Sequence, residues 1–291
     1  MKHVDDCIWS LESGKQGTHL MILGGVHGNE QSGIMVVREL LEKFDRSPDL
    51  LTAGTLTLAF GNPAAILRGM RGSEAHCDLN RAFVPARLAD ASSYEHRRAA
   101  QLASYINRAD VLLDLHAANK PSDPFLITTA LTDRHKQLAR AFACERFVVL
   151  SHSVIEGTAD NYINARGGVG LSYESGLASD VSNIAEVRDA TNFVLSMEGM
   201  VSGPLPPPRV PKQIFALNDA LHLTEAGFRF ADGRGLRSFE PMRAGDIIGY
   251  ASDTPVTAPY DGVLMFPKVP ELWKVRSPLV FFAEVKGLLP A

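Results

Sequence analysis

The sequence predicts an α/β fold: a mixed sheet flanked by helices, followed by a smaller all-β part. Three observations predict it. From about residue 18 to 200, strand-like apolar runs alternate with segments of helical periodicity. Those runs are continuously apolar, as strands covered on both faces are. A Pro-rich stretch, Gly203-Pro204-Leu205-Pro206-Pro207-Pro208-Arg209-Val210-Pro211, then breaks the pattern. It can neither continue a helix nor sit in a central strand, so it reads as a stiff linker.

Taken in order, residues 18–24 read as a buried strand running into Gly24-Gly25-Val26-His27-Gly28-Asn29-Glu30. A helix follows, because Ile34, Val37, Leu41 and Phe44 share one face. Residues 55–60 form a second strand and 93–107 a helix with Leu102 and Ile106 on its apolar side. Strands are expected at 111–115, 124–129, 147–150 and 169–173, and helices at 134–144 and 186–198. Beyond the linker, short apolar runs at 220–230, 247–250, 263–266 and 279–285 are separated by turn signals such as Asp232-Gly233 and Tyr260-Asp261-Gly262. The expected division is a domain of residues 1–202, a linker at 203–211, and a β domain of residues 212–291.

Composition excludes several classes. The chain has 291 residues, 45% hydrophobic and 21% charged, which suits one large or two modest globular domains. A net charge of -4 gives no field to recruit nucleic acid or an anionic membrane surface. No apolar run approaches the ~18 residues of a membrane helix. The start, Met1-Lys2-His3-Val4-Asp5-Asp6, is unlike a secretory signal, and the odd, widely spaced Cys7, Cys77 and Cys144 suggest no disulfide framework. A cytoplasmic protein is expected. The sequence leaves a homo-oligomer open.

Polar residues interrupt the strands at one end. His27 follows the first strand, Asn62 the second, His116 the strand at 111–115, and Glu174 the strand at 169–173. The carboxyl ends of parallel strands form the edge where an open α/β sheet places its ligands. Imidazole and carboxylate together suit Zn²⁺, so His27 and Glu30 are candidate metal ligands and His116 a third. Such a set leaves one tetrahedral position for water. Asp114, two residues before His116 on the same strand face, can orient it or cap a neighbouring loop. Glu174 is the candidate general base and acid, and otherwise a rim carboxylate before Gly176. Asn80 and Arg81 pair an amide with a guanidinium fork and suit a carboxylate. Arg68, Arg71 and Arg166 are further cations that can polarise a carbonyl or hold a second carboxylate. His76 and His152 lie where they can line the cleft.

As a set these motifs resemble a known family. Gly-x-His-Gly-Asn-Glu at 25–30, Asn62-Pro63, Asp78-Leu79-Asn80-Arg81, Asp114-Leu115-His116 and Tyr173-Glu174-Ser175-Gly176 are similar, in order and spacing, to those of the succinylglutamate desuccinylase/aspartoacylase family, within the zinc carboxypeptidase superfamily. The similarity continues through Gly245-Asp246-x-x-Gly249 and Ala258-Pro259-x-x-Gly262-Val263. The resemblance implies a zinc-carboxypeptidase-like sheet and one zinc per chain, held by His27, Glu30 and His116. It implies that Glu174 is the base and acid, and that Asn80 and Arg81 bind the α-carboxylate of a small N-acyl amino acid substrate. It also implies an arginine before Asp-Leu-Asn-Arg that polarises the scissile carbonyl. Arg71 is the first candidate and Arg68 the second, although the spacer after Arg71 is longer than the family's usual one. Arg166 stands near the family's reader of the acyl carboxylate without aligning to it. The implied activity is hydrolysis of an N-acyl amino acid, and the resemblance also implies that the β domain of residues 212–291 covers the cleft. A zinc carboxypeptidase or peptidoglycan-fragment hydrolase, and a non-catalytic binding protein on the same fold, are the alternatives.

Overall fold

The computed structural model describes residues 1–74, 77–151, 154–207, 211–223 and 227–290. In chain order its strands are β1 (Lys2–Asp5), β2 (Ile8–Glu12), β3 (His19–Gly24), β4 (Thr55–Phe60), β5 (Val111–Ala118), β6 (Phe125–Thr128), β7 (Arg146–Leu150), β8 (Val169–Leu177), β9 (Lys212–His222), β10 (Phe228–Phe230), β11 (Glu240–Met242), β12 (Ile247–Ala251), β13 (Thr254–Thr257), β14 (Gly262–Met265) and β15 (Pro278–Leu289). The helices are α1 (Gln31–Arg46), α2 (Pro63–Arg68), α3 (Pro85–Leu88), α4 (Tyr94–Ile106), α5 (Asp133–Ala139), α6 (Ala159–Asn164) and α7 (Ile184–Met197). Helix α5 stops at Ala139, short of the expected 144, where the chain tightens into turns before β7. Helix α6 was not foreseen; it is six residues long, too short for a periodic signal, and is capped by the Thr158 hydroxyl.

The strands make a mixed sheet in the order β1-β2-β4-β3-β5-β8-β6-β7-β9-β15-β14-β11, with a three-stranded sheet β10-β12-β13 beside it. Strands β4, β3, β5 and β8 run parallel to one another, so their carboxyl ends share an edge. The chain goes from β3 to β4 on one side and returns to β5 on the other. That reversal is a switch point, where the crevice of an open α/β sheet opens. Hydrophobic burial holds the layers. Leu20, Ile22, Leu56, Leu58, Leu113 and Leu171 pack on one face against Val37, Leu40 and Phe44 of α1 and Val194 and Leu195 of α7. On the other face Met21, Leu23 and Leu112 pack against Ala99, Leu102 and Ile106 of α4 and Tyr162 and Ile163 of α6.

Residues 203–207 adopt neither helix nor strand. After Pro211 the chain re-enters the same sheet: β9 pairs in parallel with β7, Phe147 opposite Ile214 and Leu150 opposite Leu217. Strand β15 pairs with the far side of β9 along nearly its whole length. The C-terminal strands thus extend the sheet that carries the first half of the chain.

Candidate metal centre and active site

The site begins where β3 gives way to α1. Gly25 turns the chain with a φ of +72°, a conformation that favours glycine. At Gly28 a Cβ would stand 2.1 Å from the carbonyl carbon of Ala65, because the turn lies directly on the backbone of α2. The turn leaves His27 and Glu30 buried and facing one point. Glu30 occupies the N-cap position of α1 but makes no cap hydrogen bond. Its carboxylate spans two rings instead: Oε1 is 2.7 Å from His27 Nδ1 and Oε2 is 2.9 Å from His116 Nδ1. The Ala117 amide also donates to Oε2, at 3.1 Å.

His116 arrives from β5. Gly24 at the end of β3 is level with Leu115, so His116 stands one residue beyond, beside the turn. Across the next ladder His116 is paired with Glu174 of β8. Sheet register therefore sets His116 and Glu174 side by side, next to the turn that carries His27.

The proton count favours a cation. The outer nitrogen of His27, Nε2, is 3.1 Å from Asp78 Oδ1. His116 Nε2 is 2.9 Å from Asp114 Oδ2, but out of line for a hydrogen bond, which leaves both atoms without a partner among the described residues. Each imidazole thus lies between two carboxylates, and a neutral ring has one N–H to give. If the rings carry their protons on the outer nitrogens, which face Asp78 and Asp114, both Nδ1 lone pairs and the Glu30 carboxylate converge. These three ligand atoms lie within 4.8 Å of one another. Metal-bound histidines commonly donate their second N–H to a carboxylate in this way. The donor set therefore fits a divalent cation.

The carboxylates around the rings favour positive charge at this point, whether a proton or a cation carries it. Burial opposes the charge on Glu30, but His27 and His116 outweigh it and hold the carboxyl below its ordinary range. Burial likewise opposes charge on His116, yet Asp114 and Glu30 raise its pKa well above the usual value. For Asp78, His27 and Arg71 overcome burial and keep it well below the carboxylate norm. Glu174 goes the other way: burial pushes it up to about 7, and its Oε2 is buried with no hydrogen-bond partner among the described residues.

Arg71 faces this group, with NH2 3.0 Å from Asp78 Oδ2 and NH1 3.9 Å from Glu30 Oε1. Arg68 turns away and donates to the Ser73 carbonyl. The long spacer after Arg71 is held by Glu95 of α4, whose Oε1 accepts from the Ser73 amide, the Ser73 hydroxyl and the Glu74 amide. Asn62 caps α2 through the Ala65 amide and donates to the same Glu95 oxygen. Asn80 gives its amide oxygen to the Ala159 amide, so its NH2 is what it can offer a ligand. Arg81 is half-buried, and its NH1 donates to the Asn80 carbonyl at 2.6 Å. Arg166 is not brought to the site. It precedes β8, at the amino end of the strand that carries Glu174 near its carboxyl end, and lies over the Tyr162 ring, 3.5 Å from its centroid. His76 and His152 fall outside the described residues.

Two site residues escaped the sequence reading. Asp78 stood inside a motif read for Asn80 and Arg81, and its contact with His27 spans 51 positions. Glu95 left a usable signal, since it begins the buried stripe Glu95, Arg98, Ala99, Leu102 and Ile106 of α4.

The succinylglutamate desuccinylase/aspartoacylase catalytic-domain model matches residues 16–197. The chain belongs to the succinylglutamate desuccinylase/aspartoacylase family. That match runs from just before β3 to the end of α7, and so includes every residue of the ligand set and Glu174. A probable aspartoacylase of Nostoc sp. is 36% identical over 125 residues, covering 36% of this chain and 40% of that protein. The chain therefore matches less than half the length of that relative. An N-alpha-acetyl-L-2,4-diaminobutyric acid deacetylase of Halomonas elongata is 25% identical over 294 residues, covering 93% of this chain and 83% of the relative. Among solved structures, a succinylglutamate desuccinylase/aspartoacylase from Rhodobacter sphaeroides shares the fold with a TM-score of 0.73, at 20% identity, covering 96% of this chain and 89% of that one. Family members bearing these names are deacylases.

Proposed function

We propose that this family member is a zinc-dependent hydrolase that cleaves the amide bond of a small N-acyl amino acid. One observation carries the reading: Glu174, its Oε2 buried and unpartnered among the described residues, is paired in register with His116 of a His-His-Glu donor set. Nitrogen and carboxylate donors with one position open are the ligand pattern of catalytic rather than structural zinc. Lewis acidity, which acidifies water and polarises a carbonyl, is what such an ion supplies when bound.

The chain's own residues do the rest. Glu174, poised near neutrality by burial, takes a proton from the attacking water and later gives one to the departing amine. Arg71 is held by Asp78 beside Glu30, where its guanidinium can meet negative charge growing on the carbonyl oxygen. The Asn80 NH2 and Arg81 bind the α-carboxylate. Asp78 and Asp114 hold the outer faces of the two histidines. The match, over 93% of this chain, to a deacetylase of an N-acetyl amino acid supports this substrate class.

The test is Glu174→Gln. The variant should retain about one zinc per chain and lose amide hydrolysis by about 10³-fold or more, in line with the loss of a general base that also serves as acid. Metal analysis and a panel of N-acyl amino acids against short peptides check both parts. Undiminished turnover would remove Glu174 from its role, and a preference for peptides would shift the reading to a carboxypeptidase.

A further inference from the structure

We propose that Ser175 is a positioning residue: its hydroxyl, held by Ser32, ties the strand that carries His116 to the strand that carries Glu174 and so fixes the base against the donor set. The inference rests on the hydrolase reading above and deepens it by naming what sets the geometry of that site.

The tie spans three elements. Ser175 follows Glu174 in β8, and its Oγ donates to the His116 carbonyl of β5 at 3.0 Å. Ser32 lies in the first turn of α1, two residues after Glu30, and its Oγ is 2.7 Å from that of Ser175. A hydroxyl has one proton, and the Ser175 proton goes to the carbonyl, so Ser32 donates to Ser175. The run Ser32, Ser175, His116 thus joins the elements that deliver Glu30, Glu174 and His116. Asn183, just before α7, adds a second hold, its Nδ2 donating to the Ser175 carbonyl at 2.6 Å.

The place of the tie gives it its role. His116 pairs with Glu174, but the next pair is Ala118 with Leu177, so β8 carries one residue more than β5 past the rung where base and ligand meet. Extra residues of this kind interrupt a ladder and re-aim side chains. Here the ladder is broken where the site needs the two strands fixed. Ser175 is the first residue of the interruption and supplies a cross-strand hydrogen bond there. Successive side chains of a strand point to opposite faces, so Ser175 acts from the α1 face, with Leu171 and Tyr173, while Glu174 stands on the other. Both serines are buried, each 3% exposed. Burying a hydroxyl costs free energy unless its hydrogen bonds are made, and an alanine would fill most of the same space without that cost. The pair therefore serves alignment rather than packing, and a displacement of about 1 Å at a reacting centre can lower a rate about 10²-fold.

The experiment uses the full-length chain. Zinc affinity is read by competition with a chelator, and turnover at saturating zinc with a panel of N-acyl amino acids that includes N-acetyl-L-2,4-diaminobutyrate and N-succinyl-L-glutamate. Ser175→Ala should weaken zinc about tenfold, as loss of a contact behind a metal ligand does. For whichever acid is turned over, it should also lower kcat about tenfold and leave KM within about twofold, because alignment acts on the transition state. Ser32→Ala leaves the bond from Ser175 to His116 in place and should lower each quantity about threefold. Because Ser32 acts through Ser175, the double variant should be no worse than Ser175→Ala alone. Zinc affinity and kcat both unchanged in Ser175→Ala, or losses that add in the double variant, would overturn the assignment. A lower Tm as the only effect would overturn it too, since that is what a packing residue shows. If Ser175→Ala does not fold, Ser32→Ala decides, and unchanged zinc affinity and kcat in that variant overturn the tie. A zinc effect without hydrolysis of any acid in the panel by the parent would leave the tie at the ligand and remove the hydrolase reading.

Discussion

At His27 and His116 the decisive partners are carboxylates that the ligand motif does not name. Asp78 serves three groups at once: it accepts from the Asn80 amide, pairs with Arg71 and stands 3.1 Å from His27 Nε2. Its removal therefore disturbs the ring orientation and the arginine together. Asp78→Ala is expected to weaken zinc binding about 10- to 100-fold, the usual effect of losing a carboxylate behind a metal-bound histidine. Competition against a chromophoric chelator measures it. An affinity unchanged within twofold would show that His27 is oriented by its own packing. Because Arg71 loses its ion pair in the same variant, kcat should also fall even at saturating zinc.

The turn between β3 and α1 works as a unit with α2 and α4. Gly28 lies against the Ala65 backbone, Ala65 is bound by the Asn62 cap, and Asn62 reaches Glu95, which in turn holds the segment after Arg71. A β-branched side chain at Gly28 would meet main-chain atoms that cannot rotate away, so α2 must shift. Gly28→Val is expected to lower zinc affinity at least tenfold and also to lower Tm by several degrees, since overpacking costs about 1–3 kcal/mol. Thermal unfolding with and without zinc reads both effects. Loss of affinity with an unchanged apo Tm would mean the strain stays within the turn. Glu95 belongs to the same unit, and its place on the buried stripe of α4 was legible in the sequence as a charge among apolar positions.

Across the whole molecule, the sheet ties the two halves of the chain together. Phe125, Val148 and Leu150 from the first half share one apolar cluster with Phe215, Leu217, Phe239, Met265 and Phe281 from the second. A fragment of residues 1–202 would expose that cluster and leave the β7 edge without β9. Re-exposing a large buried apolar side chain costs roughly 1.5–3 kcal/mol, and a domain's net stability is ~5–15 kcal/mol, so a few such losses are decisive. The fragment is expected to be aggregated or unfolded, while the intact chain unfolds as one unit. Size-exclusion chromatography and circular dichroism of the fragment check this. A monomeric fragment with native-like spectra would show that the first half stands alone.

Much of this was legible in the sequence because it is local. A continuous apolar run that ends in His27, His116 or Glu174 announces both a strand and which end of it carries chemistry. Parallel strands then set those ends on one edge, which is why a ligand set spread over 90 positions of sequence reads as one group. The resemblance of the motifs to a family is the same signal, seen all at once. Other features depend on contacts between segments that share no local pattern. The position of Arg166 at the amino end of β8 turns on where α6 stops and the strand starts. The entry of β9 beside β7 turns on hydrogen bonds made after a Pro-rich stretch that reads as a boundary. The loop after β14 gives no local sign of its anchor until Phe266 docks on Phe125. Composition and periodicity foretold the layers, and the strand ends and motif order marked the candidate ligand residues. Only tertiary packing decided which charges meet over them, because the field at a site is a sum over space and not along the chain.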